Sequence, residues 1–182
     1  MPNILSGIHN LDQHRSAYLD HPSAYKPDHC PYCLSHCLWA HGTYERKAAY
    51  ENGRRCPIPI PRFLCALCGR TCSTLPEYIP PRCWYHWAVQ QMALSLRLMG
   101  NSLLSVWSLL FDRQPCGPSQ STLQRWWSGL KHRYSHHRFH LCSALPALGY
   151  TARFTDFWQA CLQQVPLSSA MLRLHRAGLA IS

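Results

Sequence analysis

Acidic side chains are scarce in this chain of 182 residues. Eight Asp and Glu stand against eighteen Lys and Arg, which gives a formal net charge of +10. After Asp112 the only acidic residue is Asp156. Two-metal phosphoryl transfer needs several carboxylates converging on paired ions about 4 Å apart. The second part of the chain lacks them, so we expect no catalysis of strand cleavage and no enzyme activity.

The chain also lacks an apolar run long enough to cross a bilayer. The longest apolar stretch, around residues 93–110, is broken by Arg97, Asn101 and several serines, whereas a spanning helix needs about 20 apolar residues. No secretory signal is present at the N-terminus. We therefore expect a cytoplasmic protein with no membrane partner. In that reducing compartment, its eleven cysteines are metal ligands or buried side chains rather than disulfides.

The cationic excess points to a polyanionic partner. Only Lys26, Lys47 and Lys131 are lysines, so fifteen of the eighteen cations are arginines. The planar guanidinium donates two parallel hydrogen bonds, which suits phosphates and base edges. We therefore expect double-stranded DNA as the partner, and a basic surface without a nucleic-acid role is the alternative.

The chain divides into four segments that differ in composition and in the spacing of their apolar residues. Residues 1–28 are polar and aperiodic, and predict a loosely ordered lead-in. Residues 29–80 hold paired cysteines, several prolines and short β-prone runs, as a small zinc ribbon does. Residues 83–140 show helical spacing and contain a basic tract, and residues 141–182 predict short helices. The expected fold class is α+β, with a small N-terminal zinc β-ribbon followed by an all-helical region.

Two CxxC pairs form the clearest motif. The first pair is Cys30 and Cys33, the second is Cys65 and Cys68, and 31 residues separate the pairs. A CxxC turn delivers two thiolates from one tight knuckle, and zinc takes four such ligands in a tetrahedron. We therefore expect one structural Zn²⁺ bound by these four cysteines. Zinc would also supply free energy that so small a core lacks, on the order of 10 kcal/mol.

Other cysteines and histidines lie near the pairs. Both arms share the pattern CxxCxxxC, which adds Cys37 and Cys72, but a complete four-thiolate site favours reading these two as small buried side chains. Further candidates are His36, His41, Cys56 and Cys83. A redox dithiol is disfavoured, because it needs a CxxC at the start of a helix in a βαβ setting. A catalytic zinc needs an open coordination position, and two full pairs leave none.

Residues 101–110 and 119–130 predict the two helices of a helix-turn-helix, so the helical part is expected to be a helix-turn-helix region. In that motif the first residues of the second helix meet base edges, while apolar residues behind them hold it to its partner. The candidate base or phosphate contacts are Gln120, Ser121, Gln124 and Arg125. The connecting turn is longer than the usual three or four residues. A plain amphipathic helix in an all-helical core is therefore the alternative.

A basic aromatic tract, KHRYSHHRFH, follows this helix from Lys131 to His140 and contains no acidic residue. We expect Lys131, Arg133 and Arg138 to contact phosphates independently of sequence. The same tract can stack bases as readily as it follows phosphates, so RNA remains open as a partner.

Five segments carry a family resemblance: Cys30-Pro-Tyr-Cys33, His41-Gly-Thr-Tyr-Glu-Arg46, Arg62-Phe-Leu-Cys65-Ala-Leu-Cys68-Gly-Arg-Thr71, Leu75-Pro76 and Ser121-Thr-Leu-Gln-Arg-Trp126. Together they resemble the N-terminal part of bacterial insertion-sequence transposases and their small relatives, a zinc ribbon followed by a helix-turn-helix. The resemblance covers roughly residues 28–130. It implies a zinc-dependent DNA-binding protein that recognises mobile-element ends or promoter DNA.

Full transposases of this kind continue into a ribonuclease-H-like domain with three carboxylates, and this chain departs from that pattern. The resemblance therefore implies DNA binding without strand transfer, or the DNA-binding fragment of a truncated transposase. A transposase partner chain or self-association would fit either reading. The alternative outside this class is a zinc-ribbon protein–protein interaction module in which the charge is incidental. A steep salt dependence of nucleic-acid binding separates these alternatives.

Overall fold

The computed structural model describes residues 3–49, 55–112, 116–149 and 151–179, with the side chains of 48 and 49 left aside. This part of the chain contains a four-stranded sheet and seven α-helices. In chain order the elements are β1 (Asn3–Leu5), α1 (Leu11–Asp20), β2 (Leu38–Ala49), β3 (Arg55–Cys65), β4 (Thr71–Pro76), α2 (Trp87–Leu98), α3 (Leu103–Leu110), α4 (Gln120–His132), α5 (Tyr134–Ala144), α6 (Phe154–Gln164) and α7 (Leu167–Arg176). The predicted mixture of helices and strands is confirmed. No helix in the described part is both long and apolar enough to cross a membrane.

The N-terminal segment differs from the loosely ordered lead-in that the sequence predicts for residues 1–28. β1 pairs in parallel with β4, and α1 is anchored by His14, which is fully buried. Its Nε2 donates to the Pro59 carbonyl at 2.9 Å, and its Nδ1 accepts from the Tyr25 hydroxyl at 2.6 Å. Burial lowers the pKa of His14, which favours this neutral form. The prediction failed because the anchoring side chains are polar and leave no apolar periodicity.

Proline restricts how β3 can pair. Positions 57, 59 and 61 are prolines, so between them only Ile58 and Ile60 keep a backbone N–H. Such a segment pairs fully along one edge only. β3 accordingly pairs with β2 from Arg55 to Cys65, but with β4 only over Arg62–Leu64. The resulting strand order is β1-β4-β3-β2, with Ile58 and Ile60 completely buried.

Two apolar clusters organise the helices. The larger one joins α2, α4, α5, α6 and α7 around Phe157 and Trp158, which are fully buried. The other joins α2, α3 and α4 around Val106. Trp84 lies just before α2 and is 63% exposed. The tract of residues 131–140 is not a separate basic segment, because it forms the end of α4 and most of α5, with His137 buried.

Glu77 ties the two ends of the chain to the sheet. It follows β4 directly and is only 4% exposed. Its carboxylate accepts from the backbone N–H of Gly7 and from the hydroxyl of Ser169, each at 3.1 Å, and lies 4.0 Å from His9 Nδ1. Hydrogen bonds to a charged acceptor contribute more than neutral ones. Glu77 is therefore a single point that fixes the segment before α1 and α7 against the sheet.

Replacing Glu77 by Ala should destabilise the fold, because it leaves the Gly7 N–H and the Ser169 hydroxyl without their acceptor. We expect the free energy of unfolding to fall by about 2 kcal/mol, measured by urea denaturation. Glu45→Ala, which removes an exposed carboxylate from β2, is the matched control and should change it by less than about 0.5 kcal/mol. Equal effects of the two substitutions would show that the buried carboxylate has no special role.

Candidate metal centre and nucleic-acid interface

The pairing of β2 with β3 brings the two CxxC turns together. Cys30 and Cys33 precede β2, whereas Cys65 ends β3 and Cys68 lies in the turn to β4. Leu38, the first residue of β2, is paired with Cys65, and the Ala66 N–H donates to the Cys37 carbonyl at 2.9 Å. The hairpin register therefore aligns cysteines that are more than 30 residues apart in the sequence.

The two turns have the same backbone hydrogen bonds. In the first, the Leu34 N–H donates to the Cys30 carbonyl at 2.9 Å, and the Cys30 N–H donates to Ser35 at 2.7 Å. In the second, Gly69 donates to the Cys65 carbonyl at 2.9 Å, and the Cys65 N–H donates to Arg70 at 3.0 Å. Both turns need a left-handed residue directly after the second cysteine, with φ of 61° at Leu34 and 68° at Gly69.

The four cysteine sulfurs converge on one point. Cys30 Sγ lies 3.7 Å from Cys68 Sγ, and Cys33 Sγ lies 3.6 Å from Cys65 Sγ. All four sulfurs lie within 4.8 Å of one another. A tetrahedral ion with Zn–S bonds of about 2.3 Å needs sulfurs about 3.8 Å apart. The predicted convergence is confirmed, and the group can hold a metal ion.

Hydrogen bonding prepares some of these thiols for ionisation. The Ser35 hydroxyl lies 3.2 Å from Cys65 Sγ and 3.5 Å from Cys33 Sγ. Together with backbone N–H groups, it lowers the pKa of Cys33 and lowers the pKa of Cys65 to about 6. At Cys68 the Arg70 N–H lowers the pKa, but burial and the other thiols outweigh it and raise the pKa to about 12. Mutual repulsion thus opposes ionisation of the full set, and a bound cation removes that obstacle.

Ser35 is a residue of the centre that the sequence interpretation missed. The repeat gave no signal for it, because the equivalent position of the second arm is Arg70. Of the further candidates near the pairs, Cys72 is buried as expected, packed in a cluster with Phe63, Leu38 and Tyr25. Cys37 is exposed, which differs from the buried position expected for it. Neither belongs to the group of four sulfurs.

Leu34→Gly should stabilise the first turn, because a left-handed conformation costs a residue with a side chain about 1–2 kcal/mol and Leu34 is 69% exposed. After the entropic cost of glycine in the unfolded chain, we expect the free energy of unfolding to rise by about 0.5–1 kcal/mol.

Gly69→Ala should lower the free energy of unfolding by about 1 kcal/mol, although no atom lies within 4 Å of the added Cβ. Both are measured by denaturant unfolding of the metal-loaded protein.

Leu67→Gly is the matched control for Leu34→Gly. Leu67 is an equally exposed leucine in the second turn, and it has no positive φ. Glycine there should therefore destabilise the protein. Stabilisation by both substitutions, or by neither, would refute the conformational explanation.

The helices predicted for residues 101–110 and 119–130 are present as α3 and α4. The Ser102 side chain caps α3 by accepting from the Ser105 N–H at 3.0 Å, and Ser119 caps α4 by accepting from Thr122 at 3.3 Å. Leu123 of α4 packs in the cluster with Val106 and Phe111, and Leu130 belongs to the larger cluster. One side of α4 is therefore held by the other helices, and its opposite side faces solvent.

The predicted base contacts all lie on that exposed side. Gln120, Ser121, Gln124 and Arg125 are exposed. Arg125 donates to the Thr122 hydroxyl at 3.1 Å, and Gln124 donates to Ser128 at 3.2 Å. Both bonds run along the helix surface, so either side chain can exchange its partner for a ligand without disturbing the core.

The three predicted phosphate contacts differ in availability. Lys131 is exposed, with its ammonium 5.3 Å from the Trp127 ring. Arg138 is half-buried, lies over Tyr134 and donates to the Thr151 carbonyl at 3.3 Å. Arg133 is half-buried at the end of α4, and burial lowers its pKa. Lys131 is therefore the most accessible of the three, because the other two are half-buried.

Together, the sheet and the site define a protein in which four thiols that could hold a metal ion converge between two turns of a β-sheet, next to a cluster of helices. A family match covers residues 30–126, from the first cysteine of the site to Trp126 of α4. This is a little over half of the chain, which therefore belongs to the family described as a domain of unknown function, DUF6431. No curated protein and no solved structure matches this chain significantly.

Proposed function

We propose that this protein is a zinc-dependent DNA-binding protein that inserts the exposed face of α4 into the major groove. The observation that carries the proposal is the composition of that face. It presents amide, hydroxyl and guanidinium groups beside Lys131, and α4 itself contains no acidic residue. These are the groups that read base edges and contact phosphates.

Zinc is the metal that best fits the four-cysteine centre. Four thiolates in a tetrahedral arrangement select zinc or iron among the common ions, and the closed set leaves no open position for a reacting ligand. The role proposed for the ion is structural, because it joins the start of β2 to the turn between β3 and β4. Binding would then be coupled to folding of the sheet.

Purified protein should contain about one zinc per chain, because four thiolates complete one tetrahedron. Cys65→Ser should lose the metal, whereas Cys37→Ser should keep it, since Cys37 is exposed and outside the group of four. Elemental analysis normalised to sulfur measures both. Iron instead of zinc, no metal, or equal loss from the two variants would refute the assignment.

Mobile-element ends or promoter DNA are the sites that we propose for recognition. The support is the resemblance to transposase N-terminal regions together with the two capped helices, α3 and α4. We further propose that the protein does not itself transfer strands, and that a transposase chain or a second copy of this chain completes the assembly. The second form of this proposal is a truncated transposase that keeps only the DNA-binding part. It would bind DNA through the same residues.

A selection from a random duplex pool identifies the preferred site, and Arg125→Ala should then weaken binding to it by about 1–3 kcal/mol while changing binding to scrambled DNA little. Lys131→Ala should weaken binding to both duplexes alike and reduce the salt slope by about one. Fluorescence anisotropy at several salt concentrations measures both effects. Arg15→Ala, at an exposed position of α1, is the control.

Equal loss from Arg125→Ala on every duplex would remove the base-reading role. An intact protein without salt-dependent DNA binding would favour a protein–protein interaction module. One observation supports that second candidate: the turns around the metal centre expose Leu34, Leu67 and the neighbouring Trp39, each by more than 65%. Exposed apolar side chains at one place are typical of protein contact sites.

A further inference from the structure

A second site is suggested by a cavity of about 660 Å³ between α2, α4 and the segment that joins β4 to α2. Arg55 at the start of β3 and Leu167 and Met171 of α7 complete its walls. Cavities of this size are typical of sites for small organic ligands. It lies outside the four-cysteine centre, since no residue of that centre lines it.

The cavity has an apolar base and an accessible aromatic wall. Trp87, Leu94 and Leu130 are buried residues that line it. Trp84 also lines the cavity, but 63% of its side chain is exposed to solvent. An indole that is exposed to solvent at the mouth of a cavity provides a stacking surface for a planar ring.

Arginines line the same cavity as this aromatic wall. Arg55, Arg82 and Arg125 line the cavity and are exposed, and the Arg55 guanidinium lies 5.7 Å from the Trp84 ring centre. Among the described residues, no carboxylate lines the cavity. The positive charge of the rim is therefore uncompensated within the described part of the chain. A concave surface with this charge concentrates anions.

The segment that carries Arg82 and Trp84 is held in place by side chains of β2 and α2. The half-buried Arg46 of β2 donates to the carbonyls of Pro80 and Cys83, each at 2.6 Å. Gln90 of α2 donates to the Cys83 sulfur at 3.3 Å. Arg82 itself has a φ of 56°, a left-handed conformation that costs free energy in a non-glycine residue. These bonds hold the backbone of the segment in place before any ligand binds.

We propose that this cavity binds a nucleotide, with the base against Trp84 and the phosphate among Arg55, Arg82 and Arg125. Two properties select this ligand class. The aromatic wall accepts any planar base, and several guanidinium groups without carboxylate partners suit a doubly charged phosphate better than a single carboxylate. A free nucleotide and an unpaired nucleotide of a single strand both carry these groups, and the competition experiment below distinguishes them. The inference does not depend on duplex recognition by α4.

Isothermal titration calorimetry on the full metal-loaded chain tests the site with AMP, adenosine and inorganic phosphate as separate probes. AMP should bind at least about tenfold more tightly than either fragment, because only AMP satisfies the aromatic wall and the cationic rim together. Trp84→Ala should weaken AMP binding about tenfold, and Trp84→Phe should retain most of it. Arg82→Gln should weaken AMP and phosphate while leaving adenosine unchanged.

Trp39→Ala is the matched control for Trp84→Ala, because Trp39 is 68% exposed on β2 and does not line the cavity. Arg153→Gln, at the exposed start of α6, is the control for Arg82→Gln. Neither control should change AMP binding, and circular dichroism should show all variants folded. Absence of AMP binding, AMP no tighter than phosphate, or equal losses in the Trp39 and Trp84 variants would overturn the proposal.

Competition with a single-stranded oligothymidylate of about ten nucleotides identifies the source of the nucleotide. If AMP displaces the oligonucleotide and Trp84→Ala weakens both, the site takes a nucleotide of a strand. If AMP binds without competing, the site takes a free nucleotide. Either result supports the cavity as a nucleotide site. Because these measurements contain no duplex DNA, their failure is distinguishable from failure of the proposed duplex recognition.

Discussion

The convergence of four thiols is the constraint on which the sheet depends. The cysteines flank the open end of the hairpin formed by β2 and β3, and their sulfurs meet when Leu38 is paired with Cys65. A slip of one residue in this register would turn every side chain of the strand to the opposite face. The four-cysteine cluster and the hairpin register therefore specify each other, and the same register buries Ile58 and Ile60.

The shortage of carboxylates shapes the rest of the molecule. With eight acidic residues for eighteen cations, many cations must be accommodated without ion pairs. Several lie over aromatic rings instead: Arg55 over Trp84, Arg62 over Tyr44, Arg70 over Tyr32, Arg97 over Trp127, Lys131 over Trp127 and Arg138 over Tyr134. Such contacts leave the positive charge available to an external anion, because the ring supplies no countercharge. The same side chains thus contribute to packing and keep the surface attractive to phosphates.

The family match and the geometry mark the same part of the chain. Residues 30–126 include the four-cysteine centre, the Arg82–Trp84 segment and the helices α2 and α3, and end within α4. Both proposed binding surfaces use α4, because its outer face holds the predicted base contacts and Arg125 also lines the cavity. α5, α6 and α7 lie beyond the match and bury α4 from behind through Leu130 and Phe157. Their packing leaves the outer face of α4 in solvent.

Local chemistry made some features readable from the sequence alone. Two CxxC pairs predicted the thiol cluster because the spacing within each pair determines a turn geometry. The helices predicted for residues 101–110 and 119–130 were also readable, because helical spacing depends on neighbours three or four residues away. The scarcity of Asp and Glu likewise predicted a cationic surface. Only the tertiary structure decided that His14 and Glu77 anchor the N-terminal segment, that Arg133 and Arg138 are half-buried, and that Arg55, Trp84 and Arg125 line one cavity. These features join residues distant in the sequence, and a local pattern contains no information about which distant polar groups will satisfy one another.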